Sequence, residues 1–195
     1  MIRIGNIEIV YPGDGPSEKW AGILEKELRN SRIPGAVRRK TGIRSIDEIK
    51  ERWLIVVCTP QAPQDPDIGA AVRQFTGDGR YDHILTLLVS GSPEESFPEA
   101  LCIERLPDGQ VIEHEPLAAN IVSGSEKESR RKLKVEKLRI LAPMLGVSFD
   151  ELRNRRQLRN RRIVLAVSTA VVLGAAAFLA FAVIRVGRIG NSRRS

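Results

Sequence analysis

Between Ile163 and Ile184 the chain carries no charged residue, reading IVLAVSTAVVLGAAAFLAFAVI. As a helix rising 1.5 Å per residue, a run of this length spans roughly 33 Å, enough for a hydrocarbon core of about 30 Å. Ser168 and Thr169 can bond back to carbonyls of their own helix, so they do not break the span. A buried core helix is the competing reading, but core helices rarely run so long without a charge. The run predicts a transmembrane helix over 163–186, followed by a short tail over 187–195.

The flanks predict its orientation. Arg153, Arg155, Arg156, Arg159, Arg161 and Arg162 precede the run, and Arg185, Arg188, Arg193 and Arg194 follow it. The more basic flank faces the cytoplasm. Lys127, Arg130, Arg131, Lys132, Lys134, Lys137 and Arg139 add to the bias further upstream. The N-terminus has no basic region followed by an apolar one, so no signal peptide is expected. These features predict a single-pass protein of the cell membrane with its N-terminal domain in the cytoplasm. Arg155, Arg156, Arg159, Arg161, Arg162 and Arg185 are the expected membrane-flanking residues, and the basic flank is suited to anionic lipids.

The net charge of +7 is local to this end of the chain. Without the stretch from Glu126 to Arg162 and the tail, the remainder is neutral or slightly acidic. That pattern argues against a nucleic-acid binder. Cys58 and Cys102 have no CxxC partner, and His83 and His114 stand alone. No metal-ligand spacing is present, and no metal is expected.

Ahead of the membrane segment, apolar runs alternate with helical patterns. Ile7 to Tyr11 reads as a strand and Pro12 to Ser17 as a loop. Ser17 is expected to cap a helix from about Glu18 to Asn30, with Trp20, Ile23, Leu24 and Leu28 inward. Ser45 to Arg52 reads as a short helical stretch. Trp53 to Cys58 is a continuous apolar, β-rich run, as in a strand buried on both faces. Pro60 to Pro66 is a loop. Asp67 to Thr76 is a helix with Ile68, Val72 and Phe75 inward. His83 to Val89 is a second buried strand, and Leu101 to Leu106 a third at an edge. The alternation predicts an α/β domain with a parallel sheet covered on both faces. Ser125-x-x-Glu128 and Ser148-x-x-Glu151 are capping boxes that open basic helices over 126–145 and 149–162.

Few residues here suggest chemistry. Gly13-Asp14-Gly15 follows a strand and opens a helix, as phosphate-binding loops do. The dinucleotide pattern lacks its third glycine, with Glu18 at that position, and no Walker lysine pattern is present, so an ordinary turn is the plainer reading. Asp47, Glu48 and Glu51 read as a solvated acidic face. His83 reads as structural. Cys58 reads as a small core residue rather than a nucleophile.

Four stretches together resemble a bacterial TIR (Toll/interleukin-1 receptor) domain. They are LIVVCTPQAP from Leu54; Phe75 with GDGRYDHILTLLVSGSPEESFPEAL from Gly77; RIPGAVRR from Arg32; and PLAAN from Pro116, followed by the basic helix and LGVSFDEL from Leu145. The resemblance covers most of the chain. It implies a flavodoxin-like TIR fold over 1–120, with basic juxtamembrane helices over 121–162. It also implies association with other TIR domains or with itself.

Three departures qualify what the resemblance implies. The family's first strand and acidic loop become IEIVYPGDGPS, with Tyr11 kept. The BB-loop region shrinks to roughly Thr41 to Arg52. Enzymatic members cleave NAD with a glutamate in a Trp-x-x-x-Glu pattern after the Ser/Thr-Pro turn. With Thr59-Pro60 on that turn and Phe75 on the family phenylalanine, the tryptophan position is Asp67 and the glutamate position is Ala71. A methyl group cannot stabilise positive charge developing on a ribose. The expectation is a degenerate, non-enzymatic member with no cofactor. The alternative is an NAD hydrolase with NAD as substrate and Asp67 as a displaced acid. Should a nucleotide bind, Tyr11, Gly13, Asp14 and Gly15 are the candidate contacts.

Overall fold

A computed structural model of the chain describes residues 1–105, 110–116 and 118–153. The expected membrane span over 163–186, its tail, and the flanking Arg155, Arg156, Arg159, Arg161, Arg162 and Arg185 lie outside the described residues. Among the described residues no helix is long and apolar enough to cross a membrane.

The protein is α/β, built on a five-stranded, mostly parallel sheet. Strand β1 (Ile2–Ile4) and β2 (Ile7–Val10) form an antiparallel hairpin. Helix α1 (Gly15–Arg29), helix α2 (Gly35–Thr41) and a 3-10 turn over Ile46–Glu48 lead to β3 (Trp53–Cys58). Then follow α3 (Pro66–Gly77), β4 (Ile84–Leu88) and two single helical turns, α4 (Pro93–Ser96) and α5 (Glu99–Cys102). A small ribbon pairs β5 (Ile103–Arg105) antiparallel with β6 (Val111–Glu113). Strand β7 (Ala118–Asn120) and helix α6 (Glu126–Met144) close the domain. The sheet order is β1-β2-β3-β4-β7, with β2, β3, β4 and β7 mutually parallel.

Alternation along the strands sorts the core onto two faces. Ile7, Ile9, Ile55, Val57, Leu85, Leu87 and Ala119 point to one side, where α1, α2 and α6 bring Leu24, Leu28, Val37, Leu133 and Ile140. Val10, Leu54, Val56, Cys58, Ile84 and Leu88 point to the other, where α3 and α5 bring Ile68, Val72, Phe75 and Leu101. All six residues of β3 are buried, as its unbroken apolar run predicts.

Several elements differ from their sequence expectation. The hairpin strand β1 was not foreseen; Gly5, at φ 53, supplies the positive φ its two-residue turn requires. The cap of α1 is Asp14, not Ser17, so the helix starts three residues earlier than Glu18 and Ser17 lies inside its buried face. Ser45 to Arg52 keeps only a single 3-10 turn. Leu101 does not begin an edge strand of the main sheet. Pro98 starts a helical turn that buries Leu101, and the strand that follows pairs with β6 outside the central sheet. The outer place beside β4 goes to β7, a segment too short and too rich in alanine to read as a strand.

Helix α6 starts at its expected Ser125 cap, whose Oγ accepts from the Glu128 N–H at 3.3 Å. It ends in a Schellman turn. The Val147 N–H donates to the Ala142 carbonyl at 3.1 Å and the Gly146 N–H to Pro143 at 3.0 Å, with Gly146 at φ 59. Ser148 then caps a further helical turn, accepting from the Glu151 N–H at 3.1 Å. The sequence reading sets 121–162 apart as juxtamembrane helices. In the structure Met1–Arg153 is one compact unit, because α6 buries Leu133, Ile140, Leu141 and Met144 against the sheet.

A buried charge crosses that interface. Lys137 is 6 % exposed, and its Nζ donates to Glu27 Oε2 at 2.6 Å and to the Glu27 carbonyl at 3.2 Å. Removing the carboxylate strands a buried ammonium, while Glu27 itself is partly solvated. Glu27→Ala should therefore lower the unfolding free energy by about 2 kcal/mol, less than for a fully enclosed pair. Glu27→Ala combined with Lys137→Met should recover most of that loss. Urea midpoints of the variants check both.

Candidate site at the carboxyl ends of the strands

Helix α1 leaves β2 toward one face of the sheet and α3 leaves β3 toward the other. Where neighbouring connections diverge in this way, a crevice opens beyond the carboxyl ends of the strands, the usual ligand position in such sheets. Three loops meet there: Tyr11 to Asp14 after β2, Thr59-Pro60 after β3, and Val89 to Ser92 after β4.

Asp14 organises the first loop. Its Oδ1 accepts from the Ser17 N–H at 2.5 Å and its carbonyl accepts from the Glu18 N–H at 3.1 Å. Its Oδ2 lies 3.4 Å from Thr59 Oγ1, which is 3.3 Å from Ser17 Oγ. Ser17 and Thr59 are buried. The two longer contacts are weak hydrogen bonds, yet they tie the first loop to the second. The third loop is held by Gly91, at φ 77. A Cβ there would meet Ser96 Oγ at 2.5 Å and Pro60 Cγ at 2.8 Å, so only glycine lets this loop close over Pro60. Ser96 Oγ donates to the Ser90 carbonyl at 2.9 Å.

This geometry disfavours a phosphate at Gly13-Asp14-Gly15. A side chain at either glycine would meet no protein atom within 4 Å, so packing within the domain does not require glycine at either position. A carboxylate already occupies the first turn of α1, where an anion would bind. Tyr11 is half-buried against the core. The structure thus brings Asp14, Ser17 and Thr59 together. Ser17 and Thr59 were not singled out as site residues; no spacing rule links residues joined only by neighbouring parallel strands.

On the other side of the crevice, Asp65 caps α3, its Oδ1 accepting from the Asp67 N–H at 3.0 Å and the Ile68 N–H at 3.4 Å. Asp67 is exposed in the first turn. Ala71, one turn on and on the same side of the helix, is half-buried against the core that holds Ile68, Val72 and Phe75.

No family model, curated protein or solved structure matches this chain. The remaining candidates do not converge on the crevice. His83 lies at the opposite end of the sheet, its ring 4.5 Å from that of Trp53 and its Nε2 3.1 Å from Glu51 Oε2. His114 stacks on Tyr81 at 3.8 Å. Of the acidic face, Asp47 lies 3.4 Å from Arg29 and Glu48 caps the Arg44 N–H at 2.6 Å. Among the described residues no group of His, Cys, Asp and Glu is placed to hold a metal ion.

Cys58 is fully buried; burial, then the nearby Cys102, pushes its thiol well above the ordinary range. Cys102 is raised too, by partial burial. Because the thiolate is the reactive form, Cys58 should resist maleimide in the folded protein and react only on unfolding, with Cys102 labelled first. Mass spectrometry of a labelling time course checks the order. Gly91→Ala should cost at least about 1–2 kcal/mol from the left-handed φ alone, read as a lowered unfolding midpoint.

Proposed function

We propose that this chain is a membrane-anchored, TIR-like association module without NAD-cleaving chemistry. Ala71 carries the reading. At the position where the resembled family holds its glutamate, the side chain is a methyl half-buried against apolar neighbours. The polar groups that converge on the crevice are a helix-capping carboxylate and two buried hydroxyls bonded to one another. None is a free acid aimed at a bound sugar, and such a site supplies little to stabilise positive charge.

The placement of helices also supports the TIR-like, flavodoxin-like reading. Helices α1 and α6 share one face and α3 and α5 the other, as in a doubly wound sheet. The stretch from Thr41 to Arg52, where the resemblance expects a BB loop, is short, and it runs past the β1–β2 turn. Asn6 Nδ2 donates there to the Ile49 carbonyl at 3.1 Å and to Lys50 at 2.8 Å. Partners in this reading are other TIR domains or a second copy. The uncharged run over 163–184 anchors the chain in the cell membrane, with the domain on the cytoplasmic side.

A second reading has its own observation. Asp67 is exposed one helical turn before Ala71 on the same side of α3, where a displaced acid could serve an NAD hydrolase. The full chain in vesicles, assayed for nicotinamide release from NAD, separates the two. No release above the protein-free blank is expected. Release that Asp67→Ala abolishes would establish the enzyme instead. Cross-linking that grows with surface density is expected for an association module; a chain that stays monomeric at every density and captures no TIR partner would remove that reading.

A further inference from the structure

Helix α6 buries Ser129, Leu133, Lys137, Ile140 and Met144 along one stripe. On the other side of its first half, helical spacing brings Lys127, Arg131 and Lys134 together, all exposed. Beside them Val135 is 44 % exposed, a rare large apolar side chain left in water on this domain.

The acids of this helix are mostly engaged elsewhere. Lys19 donates to Glu126 Oε2 at 2.7 Å and Arg130 to its Oε1 at 2.8 Å, contacts that hold the Glu126 carboxyl below the usual range. Arg139 lies 3.0 Å from Glu136, which also accepts from the Asn120 N–H at 3.4 Å. Glu128 borders the strip, which keeps a net positive charge. Exposed cations on one helix face, with an apolar side chain at their edge, suit the surface of an anionic bilayer. A nucleic-acid strip would gain nothing from Val135. Further along the chain, Arg155 to Arg162 extend the basic character up to the uncharged run.

We propose that Lys127, Arg131 and Lys134, with Val135 at their edge beside Arg131, form a docking face for an anionic phospholipid surface, so that the domain lies against the membrane rather than hanging free of it. This rests on the membrane-anchored reading above and adds a second, lateral contact to it. The docking is electrostatic and weakens with salt.

The test uses the full chain with Val135→Cys carrying an environment-sensitive fluorophore, in a Cys102→Ser background. Vesicles are phosphatidylcholine alone or with phosphatidylserine. The fluorophore should enter the interface only with phosphatidylserine and leave it at high salt. Lys127→Ala, Arg131→Ala and Lys134→Ala together should weaken docking roughly a hundredfold, at about 1 kcal/mol for each cation; an unchanged unfolding midpoint shows that the fold is intact. A fluorophore that stays in water on phosphatidylserine, moves equally in both lipids, or responds to RNA and not to lipid would overturn the docking face. Alkaline extraction of the same vesicles reads the anchor separately. A chain that resists extraction while the fluorophore stays in water keeps the anchor and loses the face. A chain that is extracted yet docks through phosphatidylserine keeps the face and loses the anchor.

Discussion

Burial of β3 on both faces is the constraint from which the domain follows. Every side chain from Trp53 to Cys58 is enclosed, and its backbone pairs with β2 on one side and β4 on the other. Each large side chain so buried contributes roughly 1.5–3 kcal/mol relative to exposure. That gain exists only if apolar helices cover both faces. Once they do, the chain must leave neighbouring strands toward opposite sides, and the crevice at Asp14 and Thr59 follows from the wiring.

Chemistry in the crevice is limited by what its polar groups already do. Asp14 spends its charge on capping α1, and Ser17 and Thr59 spend their hydroxyls on one another and on Asp14. Glu8 is a parallel case at the sheet's other end, set between Arg3 at 2.8 Å and Arg52 at 3.3 Å. Glu8 and the Glu27–Lys137 pair are neutralised by partners, whereas the basic side of α6 faces outward.

Elements with strong patterns were legible in the sequence. The apolar runs at Trp53–Cys58 and Ile84–Leu88 and the 3.6-residue spacing of Ile68, Val72 and Phe75 declared β3, β4 and α3. Ser125 and Ser148 declared their helix starts through the acid three residues on. The elements that escaped have weak local signals: β7 is Ala-Ala-Asn and takes its shape from pairing with β4. Asp14 was hidden as a cap because Ser17 and Glu18 offered a competing start, and tertiary contact with Thr59 decides between them. The α/β class was legible, but the membership of α6 in the core was not, since its basic outer face masks a sparse apolar stripe.

That late-arriving stripe has a consequence for synthesis. Leu24, Leu28 and Ala119 lie in the core cluster that α6 completes, so one side of the sheet stays partly open while residues after Asn120 are still being added. At about 5–20 residues per second the delay is on the order of seconds. Through that interval the nascent chain presents a half-finished apolar surface, a target for a holding chaperone and a window in which a neighbouring nascent copy could lend its own α6.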